Sequence, residues 1–337
     1  MRTILVTGGA GFIGSNFVRM VLEEHPDTRV VNLDKLTYAG NLENLESYRD
    51  HPNHIFVKGD ICDGALVESL ISNYKVDALI NFAAESHVDR SLEEPGIFIE
   101  TNVKGTLTLL KVALEKKLER FVQISTDEVY GSLGPEGKFT ETTPLSPNSP
   151  YSASKASADM LVQAFGHSWG LRYNITRCSN NYGPYQFPEK MIPLMIHNAL
   201  KDKPLPVYGD GMHIRDWLYV YDHCTAVWKV LTEAQPGQVY NIGGNNEKHN
   251  LDVVRLILKA LGKPESLITF VKDRPGHDRR YAIDSSRIMA ELNWRPSVSF
   301  EEGLSRTIRW YLDHSEWLNH VVSGQYQEYY KRMYSNR

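Results

Sequence analysis

The chain has 337 residues, 42% of them hydrophobic and 23% charged, enough for one large domain or a large and a small one. Its net charge of -4, from 37 basic and 41 acidic residues with no long block of one sign, argues against nucleic acid as a partner and leaves room only for a local basic pocket. Cys62, Cys178 and Cys224 are odd in number and far apart, without metal-ligand spacing, which excludes a disulfide framework and a zinc site and leads us to expect no metal.

The N-terminal run Ile4-Leu5-Val6 meets glycine at once, too short for the apolar core of a signal peptide, and no stretch reaches the ~20 apolar residues of a membrane span. The expectation is a cytoplasmic protein with no membrane partner. Along the chain, short β-branched runs alternate with helical patterns. Ile4–Val6 is followed by a helix over Phe12–Glu24 and a strand over Arg29–Leu33. Strands are expected at Ile55–Val57, Ala78–Asn81, Phe121–Ile124 and Tyr173–Thr176, with helices over Ala65–Ser72, Ile97–Lys116 and Ser152–Ser168. Such alternation predicts an α/β fold, a Rossmann-type doubly wound parallel sheet covered on both faces. After about residue 178 the rhythm breaks into shorter elements with frequent turn signals, such as Gly183-Pro184 and Gly243-Gly244. This reads as a dinucleotide-binding domain over 1–178 and a smaller mixed α/β lobe over 179–337, interwoven with the first. The tyrosine-rich end, Tyr326 to Tyr334, reads as a packed helix or a subunit contact.

Directly after the first strand comes Gly8-Gly9-Ala10-Gly11-Phe12-Ile13-Gly14, opening a helix. Glycines there allow a tight turn and close approach of backbone N–H groups to a pyrophosphate, and Gly14 allows the helix to pack near the strand. Asp34 ends the second strand 20 residues beyond Gly14, where a carboxylate holds a ribose diol and repels a 2'-phosphate. The expected cofactor is therefore NAD rather than NADP, with Lys35 beside Asp34 softening the distinction. Asp60, closing the third strand, is placed to meet an adenine or simply to cap the strand end.

The run Phe121 to Ile124 leaves a buried strand and exposes Ser125-Thr126-Asp127-Glu128 at its C-terminal end, where open parallel sheets bind ligands. Tyr151 and Lys155 open a later helix, four residues apart and so on one face. The spacing alone is weak, but no other tyrosine in the chain has a lysine four residues on. A phenol near pKa ~10 is a poor base at neutral pH, and a neighbouring ammonium favours the phenolate, so the pair suits proton removal from a hydroxyl as hydride leaves. Thr126 would orient that hydroxyl.

Together these motifs are similar to those of the extended short-chain dehydrogenase/reductases that modify sugar nucleotides. The likeness runs through Asp34 to Leu42, Ala83 to Ser91, Ser125 to Gly131 and Asp273 to His277, nearly the whole chain, and is most specific to members that dehydrate a nucleotide hexose across carbons 5 and 6. The resemblance implies NAD as cofactor, dTDP-glucose as the small-molecule partner and a homodimer formed through helices near 97–116 and 152–168. It implies cofactor contacts from Gly8, Gly11, Phe12, Ile13, Gly14, Asp34, Lys35, Leu36, Thr37, Asp60, Ile61, Ala83, Ala84, Ser86, Thr101, Tyr151, Lys155 and Asn181. On the substrate side it implies Ser86, His87, Thr126, Asn180, Lys190, Pro206, Tyr208, Arg215, Asn250, Arg274 and His277, the arginines suited to a diphosphate by their forked donors.

In such a reaction a ketone made at carbon 4 acidifies the carbon 5 hydrogen, and elimination needs one carboxylate as base and one carboxylic acid for the departing carbon 6 hydroxyl. Asp127 and Glu128 are adjacent carboxyls at the right strand end. By resemblance Glu128 is the base and Asp127 the acid, an order the residues themselves do not determine. Hydride then returns to carbon 6, leaving a 4-keto-6-deoxy sugar. A UDP-glucose 4,6-dehydratase, a sugar-nucleotide 4-epimerase on the same framework, and a nucleotide-sensing protein without turnover remain as alternatives.

Overall fold

A computed structural model describes residues 2–323; the tyrosine-rich end noted above lies outside them. The first half runs β1 (Thr3–Thr7), α1 (Phe12–Glu24), β2 (Arg29–Asp34), β3 (His54–Lys58), α2 (Gly64–Tyr74), β4 (Ala78–Asn81), α3 (Val88–Glu93), α4 (Pro95–Phe98), α5 (Thr106–Glu115), β5 (Arg120–Thr126), α6 (Pro150–Trp169) and β6 (Tyr173–Cys178). The second half runs β7 (Asn180–Tyr182), α7 (Met191–Leu200), β8 (Leu205–Tyr208), β9 (Ile214–Tyr219), α8 (Val220–Glu233), β10 (Gln238–Ile242), β11 (Glu247–His249), α9 (Asn250–Leu261), β12 (Ile268–Val271), α10 (Ser286–Leu292), α11 (Phe300–Asp313) and α12 (Ser315–Val321).

Seven strands form one parallel sheet in the order β10-β6-β5-β4-β1-β2-β3. All five residues of β1 are buried, which is why the strand reads as an uninterrupted apolar run: helices cover both faces. On one face Phe17, Val18 and Val21 of α1 pack with Val227, Val230 and Leu231 of α8 against Ile4, Val6 and Ile80. On the other, Val67, Leu70 and Ile71 of α2, Leu109 and Leu110 of α5 and Val162 and Phe165 of α6 close over Leu5, Val31, Leu79 and Phe121. Each such aliphatic or aromatic side chain contributes about 1.5–3 kcal/mol by leaving water. The fold is the expected Rossmann-type doubly wound sheet. Strand order reverses between β1 and β4, and that reversal opens a crevice at the C-terminal strand ends.

A second core gathers Tyr182, Trp217, Tyr219, Phe300, Ile257 and Tyr311 around two small sheets, β11-β9-β7 and β12-β8. Among the described residues, no helix is long and apolar enough to cross a membrane.

The helix expected over Ile97–Lys116 is interrupted. After α4 the chain makes a π-helical turn over Ile99–Gly105 before α5 begins. The wider turn is held by Asn102, which accepts from Glu85 N at 2.9 Å and donates to Glu85 O at 2.9 Å and Ser154 Oγ at 2.8 Å. These bonds tie the turn to the loop after β4 and to α6, and no local periodicity encodes them.

Helix α6 begins at Pro150, one residue before Tyr151, because Ser149 caps it. Its hydroxyl accepts from Ser152 N, Ser152 Oγ accepts from Ser149 N, both at 3.1 Å, and Pro150 fills the first turn. Ser149→Ala is expected to lower stability by about 1 kcal/mol in urea denaturation, with unchanged far-ultraviolet circular dichroism. A variant as stable as the parent would show that the cap contributes nothing.

Candidate active site

A cleft of about 280 Å³ lies along the C-terminal ends of β1, β2, β4, β5 and β6. The first-turn N–H groups of α1 meet no side-chain cap and no acidic residue, leaving the helix N-terminus open to an anion. Gly8 has φ +71, and a β-carbon there would lie 2.6 Å from Ala83 N; one at Gly14 would run into the Gly8 carbonyl. Only glycine admits this approach, so the cradle fits a dinucleotide pyrophosphate.

Asp34 accepts from Ala10 N at 2.9 Å and Leu36 N at 2.8 Å, which stitches the glycine loop to the segment after β2. Asp34 lines the cleft. Lys35 pairs with Asp60 at 2.7 Å, so its charge there is met by a carboxylate. Asp60 stands two residues beyond the end of β3.

Gly8, Gly11, Phe12, Ile13, Gly14, Asp34, Lys35, Thr37, Asp60, Ile61, Ala83, Ala84, Ser86, Thr101 and Asn181 all line the cleft, together with Thr126, Asp127, Glu128, Tyr151, Lys155, Asn180 and Lys190. Leu36 does not; its backbone holds Asp34 instead.

The deep end of the cleft is ionic. Thr126 ends β5 and caps the short 3-10 turn Asp127–Tyr130 by accepting from Glu128 N at 3.2 Å. Asp127 is 2% exposed, and one of its carboxyl oxygens is buried with no hydrogen-bond partner. Burial, followed by the charges of Glu128 and Asp216, lifts Asp127 well above the ordinary carboxyl range. Burial also raises Glu128, but Arg274, Lys190 and Arg215 pull against it and favour its carboxylate. Both are raised, Asp127 the further, so Asp127 is the more inclined of the two to keep its proton.

Tyr151 and Lys155 share the buried face of α6, at 8% and 4% exposure. Lys155 Nζ donates to Ile124 O at 2.6 Å, pinning α6 to the end of β5. The expected lowering of the phenol by this ammonium is not what the structure shows. Burial, then the carboxylate of Glu128, hold Tyr151 well above the usual tyrosine value, and the Thr126 hydroxyl opposes them. Desolvation also pulls Lys155 down, countered by Asp159 on the next turn.

The remaining predicted residues form a wall on the far side of Glu128. Arg215 donates to Asp278 O at 2.9 Å and lies 4.4 Å over the Tyr281 ring, and Arg274 sits 3.5 Å from Asp89. Tyr208 donates to the same Asp89 at 2.9 Å, and Lys190 Nζ donates to Ser86 O at 2.7 Å. His87 is buried, with Nε2 3.3 Å from Glu189 O. Asn180 Oδ1, Asn250 Oδ1 and Arg274 Nε are buried without partners, as suits a wall that receives a polar ligand. Pro206 is apart from these, buried in β8 opposite Thr269 of β12.

His277 Nδ1 and His213 Nε2 each meet one oxygen of Asp273, at 2.6 and 3.2 Å, with the imidazoles stacked at 3.8 Å. Their donor atoms lie within 4.8 Å of one another, but parallel rings aim side by side at two oxygens rather than at one point. The arrangement braces the Arg274 loop.

Several site residues were not anticipated. Asp89 and Asp278 brace the cationic wall, and Gln186, Phe187 and Glu189 close the cleft from the segment after β7. Asp89 lay inside a noted motif, Ala83 to Ser91, yet only burial distinguishes it from a surface acid.

Residues 5–307 match the family model described as GDP-mannose 4,6 dehydratase. The chain belongs to this family of nucleotide-sugar dehydratases. It is 56% identical to the dTDP-glucose 4,6-dehydratase of Xanthomonas campestris pv. campestris (strain B100), an alignment covering 97% of this chain and 98% of the relative. The dTDP-glucose 4,6-dehydratase of Bacillus anthracis, solved with NAD, is 52% identical at a TM-score of 0.90, covering 95% of this chain and 100% of that one. The Streptomyces venezuelae enzyme of the same name, solved with NAD and dTDP bound, is 48% identical at a TM-score of 0.92, covering 95% and 99%.

On the cofactor side Asn181 is oriented by His223, whose Nδ1 is 2.9 Å from Asn181 Oδ1. Burial lowers His223 from 6.5 to about 3. In the unfolded chain this imidazole takes a proton near pH 6.5, and in the folded protein only near 3. The stability tied to its neutral form is thus complete above 6.5 and lost as pH falls toward 3. His223→Asn is expected to flatten the acid-side decline by up to about 1.4 kcal/mol per pH unit. Urea denaturation at pH 7, 6 and 5 checks this, and parallel declines in parent and variant would contradict it.

Proposed function

We propose that the protein dehydrates dTDP-glucose to dTDP-4-keto-6-deoxy-glucose, using NAD that is restored within each turnover. The observation that carries this reading is the pair of neighbouring carboxyls, buried Asp127 and half-buried Glu128, set beside Tyr151 with Asp127 raised further than Glu128. An oxidation and re-reduction at one carbon has no need of a second acid–base pair; an elimination does. The 48–56% identity to named dTDP-glucose 4,6-dehydratases supports the same substrate.

The glycine cradle, Asp34, Asp60 and the lining from Ala83 to Ser86 would hold the dinucleotide, with Asn181 and Thr101 at its nicotinamide half. Bound NAD supplies a hydride acceptor for carbon 4, a hydride donor for carbon 6 and a positive ring that favours the Tyr151 phenolate over the phenol. Tyr151 takes the carbon 4 hydroxyl proton while Thr126 orients that hydroxyl, and Lys155 keeps positive charge near the phenolate. Glu128 removes the proton from carbon 5, and Asp127 protonates the carbon 6 hydroxyl so that it leaves as water. Glu128 then returns a proton to carbon 5.

Lys190, Arg215 and Arg274 hold the diphosphate, and their charge draws Glu128 back toward the carboxylate that a base requires, against the rise that burial causes. Ser86, His87, Asn180, Tyr208, Asn250 and His277 complete the substrate side; Pro206, buried in β8 away from them, is not part of it. In this assignment residues 1–178 carry the cofactor and 179–337 mainly the nucleotide sugar. The three free cysteines fit a cytoplasmic setting.

Glu128→Gln is expected to reduce bound nicotinamide with dTDP-glucose, seen at 340 nm, yet to form product at least a hundredfold more slowly. Tyr151→Phe should lose even the nicotinamide signal. Product from the wild type in deuterium oxide should carry deuterium at carbon 5. An isomer that keeps its carbon 6 hydroxyl would instead make the protein an epimerase.

The homodimer is part of the same proposal. Leu92, Ile97, Ile99 and Met160 are 38–55% exposed on α3, the segment leading into α5, and α6, a row of apolar side chains suited to a second copy. Light scattering is expected to give twice the 38.4 kDa chain mass and Met160→Glu to shift the protein toward monomer; a monomeric wild type would refute this arrangement.

A further inference from the structure

Arg177 of β6 lies beneath the catalytic face with its side chain 3% exposed, facing an Asp159 that is fully buried. Its Nε donates to Asp159 Oδ2 at 2.9 Å, and its Nη1 donates to Tyr130 Oη at 2.9 Å. The guanidinium also stands 4.9 Å from the Tyr130 ring centre. Tyr130 Oη donates to Asn241 Oδ1 of β10 at 2.8 Å, and its ring stacks on Phe139 with ring centres 5.0 Å apart.

The termini of this chain of bonds matter. Asp159 is one turn beyond Lys155 and two beyond Tyr151 on the same face of α6. Tyr130 closes the turn that opens with Asp127 and Glu128. One guanidinium therefore bonds to both elements that bear the proposed chemistry, while none of the three residues lines the cleft. An ion pair this dry is weak support for stability as such, since apolar replacements of similar shape are often as stable. What it provides is a fixed distance and angle between two elements, because a bidentate planar group tolerates little misalignment.

We propose that the Asp159–Arg177–Tyr130 chain positions the Asp127–Glu128 turn against α6, so that the sugar oxidised at Tyr151 is already aligned for elimination by Glu128 and Asp127. The proposal rests on the dehydration assigned above and makes these three positioning residues, not catalytic ones. Asp159 has a second effect, as the carboxyl on α6 that acts on Lys155; the other titratable group acting on that ammonium is Cys178 of β6.

Tyr130→Phe keeps the ring on Phe139 and deletes only the hydroxyl that joins the turn to Arg177. In single-turnover experiments with NAD-loaded protein and dTDP-glucose, the rise at 340 nm should stay within twofold of wild type. Deuterium uptake at carbon 5 and product formation should fall at least tenfold, so that reduced nicotinamide accumulates. Asp159→Asn should act on the other half: the 340 nm rise slows at least tenfold, and its alkaline limb moves to lower pH by about one unit because Lys155 loses its counter-charge.

Equal slowing of every step, or wild-type behaviour in both variants, overturns the positioning role. Should Tyr130→Phe fail to fold, Asp159→Asn decides alone by whether its loss is confined to the first hydride transfer. A wild type that makes no 4-keto-6-deoxy product removes the assigned reaction and this inference together; a wild type that turns over while the variants show no selectivity removes this inference only.

Discussion

Charge buried in protein must be balanced within a few ångströms, since an isolated ion in a low-dielectric interior costs several kcal/mol and otherwise neutralises itself, and the deep end of the cleft is organised around that constraint. Asp127, Glu128 and Asp159 are set among Lys155, Arg177, Lys190, Arg215 and Arg274. Around Glu128 the cations oppose the rise that burial causes; at Asp127 burial and the neighbouring acids drive the larger rise. The two neighbours thereby differ in acidity through their surroundings more than through intrinsic value.

The parallel sheet makes this balance possible. Its strands all end at one edge, so Thr126 of β5, Cys178 of β6 and Asn81 of β4 bring their following loops to a common crevice. Lys155 reaches back to the Ile124 carbonyl, and Asn102 bridges the loop after β4 to α6. Helix α6 is thus tied to the sheet at one point and to the loop after β4 at another. Such pinning is what a multistep reaction in one site requires, because each step must find its proton donor or acceptor without a rearrangement between steps.

The second lobe contributes polarity more than shape. Its arginines are braced before any ligand arrives: Arg215 on a backbone carbonyl and the Tyr281 ring, Arg274 against Asp89. Preorganised cations lose little side-chain freedom when they meet a diphosphate. They also act on Glu128, so the groups suited to holding the substrate are the same ones that draw the proposed base toward its carboxylate.

Local pattern alone determined a great deal. Strand and helix alternation, the glycine loop with Asp34, the Thr126 strand end and the four-residue spacing of Tyr151 and Lys155 are all written in short windows, because each depends on backbone geometry or on one helical face. What the windows could not contain was the relation between them. The pull on Glu128 toward its carboxylate comes from cations 62 to 146 residues away in the chain, and the capture of Lys35 by Asp60, the π-helical turn held by Asn102 and the bracing by Asp89 and Asp278 likewise join distant segments. Even the expected effect of Lys155 on Tyr151 was inverted by burial and by Glu128. Residue types and spacings decide which groups are available; electrostatic state depends on distance and solvent exclusion, and those exist only once the chain has folded.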